Sequence, residues 1–147
     1  MKIAIIASSF NKQITDGIIE GALKCYETNY DKKFNLKHIY KVPGAFEIPS
    51  CVNQLLVNSK TKFDAIVTLG CVIKGETAHF EYISQSVTEQ IMSLSLNNKN
   101  IPILYGVLTT YNYQQALDRT QSDKSNKGYE VMEAAVEMIN QFSNLDK

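Results

Sequence analysis

Apolar positions along the chain follow two alternating rhythms. Four runs have strand character, Lys2–Ser8, Asn35–Val42, Phe63–Ile73 and Pro102–Thr109. Three of them are nearly continuous, as expected for strands covered on both faces of a parallel sheet. Elsewhere apolar residues recur at helical spacing: Ile14, Ile18, Ala22 and Cys25; more loosely Tyr82, Val87, Ile91 and Leu94; most clearly Met132, Ala135, Ile139 and Phe142. Ala45–Asn58 and Tyr113–Thr120 are shorter helical segments. The order β-α-β-α-β-α-β-α-α predicts an α/β domain in which helices cover both faces of a mostly parallel sheet through right-handed crossovers. Pro43-Gly44, Gly75 and Asn126-Lys127-Gly128 punctuate the connections, and no repeat or linker divides the chain, so residues 1–147 are read as one domain.

In such sheets ligands bind beyond the carboxyl ends of the strands, which directs attention to the loops that follow each run. Phe10 stands in the first of these loops, either packed as an ordinary hydrophobe or offering a ring to a flat ligand. Glu47 follows a Pro-Gly turn, and is either a first-turn acid favoured by the helix dipole or an acceptor for ligand hydroxyls. Lys74-Gly75-Glu76-Thr77, between a strand and a helix, has the character of an anion site or of a simple cap, and is neither a Walker loop nor a dinucleotide fingerprint. His79 comes two residues later, where a side chain that moves protons near neutral pH would be useful. His38 lies within a predicted strand with no acid or anion pattern beside it.

Composition sharpens one position and excludes several classes. Acidic and basic residues both number 15, and no block of like charge suggests a nucleic-acid or membrane partner. All the basic residues but Arg119 are lysine. A guanidinium fork binds phosphate bidentately, so Arg119 is either a solvated charge at a helix end or a phosphate clamp. Cys25, Cys51 and Cys71 are scattered among apolar neighbours and read as reduced, buried thiols, not a disulfide framework or a metal knuckle. No apolar stretch is long enough for a signal core or a bilayer span, which predicts a soluble cytoplasmic protein.

Taken together, the loops resemble the lumazine synthase family along nearly the whole chain. The resemblance rests on Ser9-Phe10-Asn11, Pro43-Gly44-Ala45-Phe46-Glu47-Ile48-Pro49, Gly70-Cys71-Val72-Ile73-Lys74-Gly75-Glu76-Thr77-Ala78-His79-Phe80, Gly106-Val107-Leu108-Thr109-Thr110 and Asn126-Lys127-Gly128, in the family's order. It implies a three-layer α/β/α sandwich around a flavodoxin-like four-stranded parallel sheet of order 2-1-3-4. It also implies a transferase of riboflavin biosynthesis that works without a cofactor or metal. That enzyme condenses 5-amino-6-(ribitylamino)uracil with 3,4-dihydroxy-2-butanone 4-phosphate to 6,7-dimethyl-8-ribityllumazine, phosphate and water.

Carried over by resemblance, Phe10 stacks on the uracil, while Ala45, Phe46 and Glu47 hold the ribityl chain and ring edge. Cys71, Val72 and Ile73 read the pyrimidine through their backbone, Glu76 and Thr77 cradle the phosphate, and His79 transfers protons. Tyr105 and Arg119 reach the pocket from a neighbouring subunit, Arg119 on the phosphate. Three positions depart from the family pattern: Lys74 for a usual arginine, Tyr111 for a usual acid, and Asp123, near the phosphate site, for a frequent lysine. The resemblance further implies a homopentamer, or twelve pentamers forming a capsid, with riboflavin synthase as a further partner. A riboflavin synthase of the same fold and a lumazine- or flavin-binding carrier are the competing readings. A phosphoacceptor domain is set aside because no strand run ends in aspartate.

Overall fold

The apolar runs become the strands of one sheet. In the computed structural model, which describes residues 1–30, 32–98 and 100–145, β1 (Ile3–Ser8), β2 (Ile39–Val42), β3 (Ala65–Ile73) and β4 (Ile103–Thr110) are parallel, in the order β2-β1-β3-β4. Parallel neighbours need crossovers, which are supplied by α1 (Lys12–Tyr30), α2 (Ile48–Asn58) and α3 (His79–Asn97), while a short α4 (Tyr113–Leu117) and α5 (Lys127–Leu145) follow β4. Alternation along β1 sends Ile3, Ile5 and Ala7 to one face, where they meet Ile14 and Ile18 of α1 and Met132 and Ala135 of α5. Ala4 and Ile6 face the other way, against Ile48 and Val52 of α2 and Val87 and Ile91 of α3. The result is the expected three-layer α/β/α sandwich.

The Asn126-Lys127-Gly128 motif joins α5 to α1. A Cβ at Gly128 would lie 1.6 Å from the carbonyl oxygen of Ile18, so only glycine permits this approach. Asn126 is 2% exposed; its amide donates to the Gly17 carbonyl at 3.0 Å, and its oxygen accepts from the N–H groups of Gly128 at 2.8 Å and Tyr129 at 3.3 Å. One side chain thus caps α5 and ties it to α1.

Element boundaries differ from the sequence expectations where short polar turns intervene. Asn35–His38 is not strand: the Asn35 side chain accepts the Lys37 N–H at 3.1 Å and opens a 3-10 turn, Leu36–His38, so β2 starts at Ile39. His38 therefore sits in a turn, edge-on to Phe34 and Phe63. The helix expected over Ala45–Asn58 opens with a 3-10 turn, Ala45–Glu47, and the one over Tyr113–Thr120 ends in another, Asp118–Thr120, which carries Arg119. Glu76 and Thr77 lie in the loop ahead of α3 and not in the helix. All three cysteines are free, Cys25 and Cys71 buried and Cys51 half-buried. Among the described residues no helix is long and apolar enough to cross a membrane.

Candidate active site

The carboxyl edge of the sheet is uneven, and the unevenness makes the site. β1 accompanies β3 only as far as Ala7 opposite Leu69, whereas β4 follows β3 to Thr110 opposite Ile73. Backbone groups alternate sides along a strand. The Lys74 N–H donates to the Thr110 carbonyl at 2.9 Å on the β4 side, so Cys71 and Ile73 present their backbone groups to the side that β1 has vacated. There the Cys71 carbonyl accepts Nδ2 of Asn11 at 3.0 Å.

Asn11 pins the first loop. It holds a left-handed φ of 55°, a conformation asparagine tolerates, and its carbonyl accepts the amides of Ile14 and Thr15 to start α1. The N–H groups of Ser9 and Phe10 donate to the carbonyls of Val42 and Pro43 at 2.8 and 3.0 Å. On this tethered backbone the Phe10 ring is 71% exposed, so it is not packed as a core hydrophobe. An exposed ring on a fixed loop is suited to stacking on a flat ligand.

Beside this loop, the turn after β2 supplies a second ring, Phe46, which is also exposed. Oε2 of Glu47 accepts the Gly44 N–H at 2.9 Å, which fixes the carboxylate at the edge of the depression. The structural and functional readings of Glu47 are therefore compatible, because the turn it caps is the one that aims it. Phe10, Phe46, Glu47, the β3 end, Thr77 and His79 line one cavity of about 590 Å³, the size of a pocket for a small organic molecule. Ala45 lies at its base, and Gly75 borders it with open space where a Cβ would stand. Cys71 is in the floor, where burial pushes its thiol up to about 12, so no thiolate nucleophile is available there.

The start of α3 bears on anion binding. Its N-cap residue is Ala78, with no side-chain cap; the nearest contact is a long one, 3.4 Å, from the His79 N–H to Oγ1 of Thr77. The first-turn amides have no main-chain partner within the helix and point out of it, where the dipole favours negative charge. His79 is exposed at the rim. Glu76 is exposed too, but its side chain does not line the cavity.

Tyr105 and Arg119 are elsewhere. They line a separate groove of about 520 Å³ beside β4, with Thr109, Ser125 and Lys127. Arg119 Nη1 donates to the Gln115 carbonyl at 2.8 Å, and the Tyr105 hydroxyl shares a hydrogen bond of 2.9 Å with Oγ1 of Thr88. Asp123 turns its carboxylate into its own loop, where the Ser125 hydroxyl and N–H hold its pKa below the usual range. It makes no ion pair with Lys124 or Lys127; Lys127 pairs with Glu130 at 2.8 Å. Two candidate residues escaped the sequence reading, Asn11 in the cavity and Lys127 in the groove. Both stood inside recognised motifs, but nothing in their residue type or spacing separated a ligand-facing role from a turn. Among the described residues no cluster of three His, Cys, Asp or Glu side chains could hold a metal ion.

Two relatives of similar sequence share one description. The chain is 46% identical over 139 residues to the 6,7-dimethyl-8-ribityllumazine synthase of Campylobacter jejuni subsp. doylei, across 95% of this chain and 88% of that protein. It is 38% identical over 144 residues to the synthase of the same name from Sulfurimonas denitrificans, across 98% and 91%. The family model described as 6,7-dimethyl-8-ribityllumazine synthase matches residues 1–143, and the chain belongs to that family.

Proposed function

We infer that this chain condenses 5-amino-6-(ribitylamino)uracil with 3,4-dihydroxy-2-butanone 4-phosphate, the penultimate step of riboflavin biosynthesis. The products are 6,7-dimethyl-8-ribityllumazine, inorganic phosphate and two waters. The observation that carries this reading is the single cavity in which an exposed ring, an anchored carboxylate, open strand-end backbone, an uncapped helix start and a histidine converge. A flat heterocycle bearing a polyol and a phosphorylated ketone require that combination.

The chemistry follows from the parts. Phe10 stacks on the uracil, and the backbone of Cys71–Ile73, together with Val72 packed beside it, matches the pyrimidine edge. Glu47 accepts ribityl hydroxyls, beside Ala45 and Phe46. The amine condenses with the ketone and releases water, phosphate leaves as the carbon beside it loses a proton, and the ribityl-bearing nitrogen closes the ring with loss of the second water. Each stage moves a proton, and His79 at the rim is the side chain suited to carry it. The Thr77 loop and the first turn of α3 take the phosphate; Glu76 contributes through its backbone. Holding two reactants in register supplies much of the acceleration in such condensations.

Arg119, Lys127 and Tyr105 complete the site of the next subunit. Their separate groove supports this arrangement, since one chain does not bring them to its own cavity. Such a contact is heterologous, and it closes into a ring, here a homopentamer, alone or as one of twelve in a capsid. Tyr82, Met92 and Leu96 leave apolar surface exposed along one side of α3, as a subunit interface would use. The enzyme works in the cytoplasm beside a riboflavin synthase that consumes its product. Lumazine chromophore formation by the purified chain, measured against the slow enzyme-free reaction, tests the reading. Formation well above control that is lost in Arg119→Ala is the expected result. Folded protein that binds lumazine without accelerating its formation would overturn it in favour of a carrier.

A further inference from the structure

Between the cavity and the groove stands a four-residue cluster to which no role has been given. Nζ of Lys74 pairs with Oε1 of Glu81 at 2.6 Å and lies 5.9 Å from the ring centroids of both Phe80 and Tyr111. The two rings are 6.3 Å apart. Phe80 lines the cavity and Tyr111 lines the groove, so the ammonium is held where the two depressions adjoin. Glu81 is the one acid in the first turn of α3. Its carboxyl is held below the usual range, first by Lys74 and then by its own backbone amide. Glu81 thus stands in the first turn of the helix start that the reading above assigns to phosphate, and a bare carboxylate there repels a second anion.

We propose that Lys74 is a positioning residue that makes the α3 helix start receptive to the phosphate-bearing substrate, by neutralising Glu81 and drawing its carboxylate toward the Phe80 and Tyr111 rings. The inference rests on the phosphate site described under Proposed function. It assigns Lys74 no contact with the reacting atoms. The two rings give the ammonium a second attraction, which holds it beside Glu81 even though both side chains are about half exposed. Loss of Lys74 leaves a negative charge at the helix start, and the penalty falls on the phosphorylated substrate and not on the ribitylaminouracil.

The experiment compares the unmodified chain with Lys74→Ala, Lys74→Arg, Glu81→Gln and Lys74→Ala/Glu81→Gln. It reads KM for each substrate and inhibition by inorganic phosphate. Lys74→Ala raises the KM of the butanone phosphate and the phosphate Ki by roughly three- to ten-fold, the effect of one uncompensated, partly screened charge nearby. The KM of the uracil stays within about two-fold. Lys74→Arg behaves like the unmodified chain, and Glu81→Gln restores the alanine variant. Glu81→Gln alone, which keeps both rings and the ammonium, lowers the phosphate Ki; this variant decides the matter if Lys74→Ala does not fold. A double variant as impaired as Lys74→Ala, equal rises in both KM values, or an unchanged Ki in Glu81→Gln would overturn the role of Lys74. An unmodified chain that forms no lumazine above the control would overturn the functional reading itself, and this proposal with it.

Discussion

If one chain supplies the cavity and its neighbour the groove, two inactive variants must repair each other. The cavity-disabled chain is Phe10→Ala/His79→Ala, which removes the stacking ring and the proton carrier from one depression. The groove-disabled chain is Arg119→Ala, which removes the guanidinium from the other. Loss of a charge-assisted phosphate contact in a transition state costs about 2–4 kcal/mol, so the second variant falls by roughly 30- to 1,000-fold. When the two are co-expressed in equal amounts and assemble at random, a productive site needs an intact cavity and an intact adjoining groove. Each has a probability of one half, so about one quarter of the sites, and about one quarter of the unmodified rate, return. The assay is lumazine absorbance from co-purified, differently tagged chains, with separately purified and unmixed variants as controls. A site contained within one chain gives no recovery, because every chain in the mixture is disabled. A rate that stays at the level of the parents, in oligomers shown to contain both chains, would refute the shared-site reasoning.

Two further outcomes concern the stability of the fold. Asn126→Ala removes the α5 cap and its tie to the Gly17 carbonyl and leaves the buried N–H groups of Gly128 and Tyr129 without their acceptor, at a cost of about 2–4 kcal/mol; denaturant unfolding at fixed protein concentration should show it, and a change below about 0.5 kcal/mol would refute the account of the motif. Burial raises the Cys71 thiol from its ordinary range near pH 9 to about 12, so above pH 9 the unfolded chain gives up this proton while the native one keeps it. The unfolded state then binds fewer protons, and stability falls as pH rises from about 9 toward 12. The fall should be shallower in Cys71→Ala, as measured by unfolding at pH 8 and pH 10, and parallel slopes for the two proteins would contradict it.

The layers of the fold were readable along the chain because burial on both faces of a strand and on one face of a helix leaves periodic apolar marks. Ile3–Ala7, Ala65–Leu69 and Met132–Ile139 carry such marks, and they landed in strands and helix as expected. The short turns were not readable. Asn35–His38 satisfies its backbone through the Asn35 side chain, a local hydrogen bond that apolar periodicity does not encode. Ala45–Glu47 is likewise set by the contact of Glu47 with Gly44.

Within the site, residue types could nominate Phe10, Glu47, His79 and Arg119, because each has chemistry that is conspicuous in its loop. Their grouping depended on contacts between residues far apart in the chain. The left-handed Asn11 meets the Cys71 carbonyl across the sheet, and β3 outruns β1. From such contacts comes a cavity that holds Phe10, Glu47 and His79 and leaves Arg119 and Tyr105 in a groove of their own. The same holds for Lys74 and Tyr111, separate departures along the chain that meet in space around Glu81 and Phe80. Periodicity reports which face of an element is buried, and residue type reports what a side chain can do. Which side chains meet follows from where strands stop and how loops are pinned, and those are properties of the packed chain.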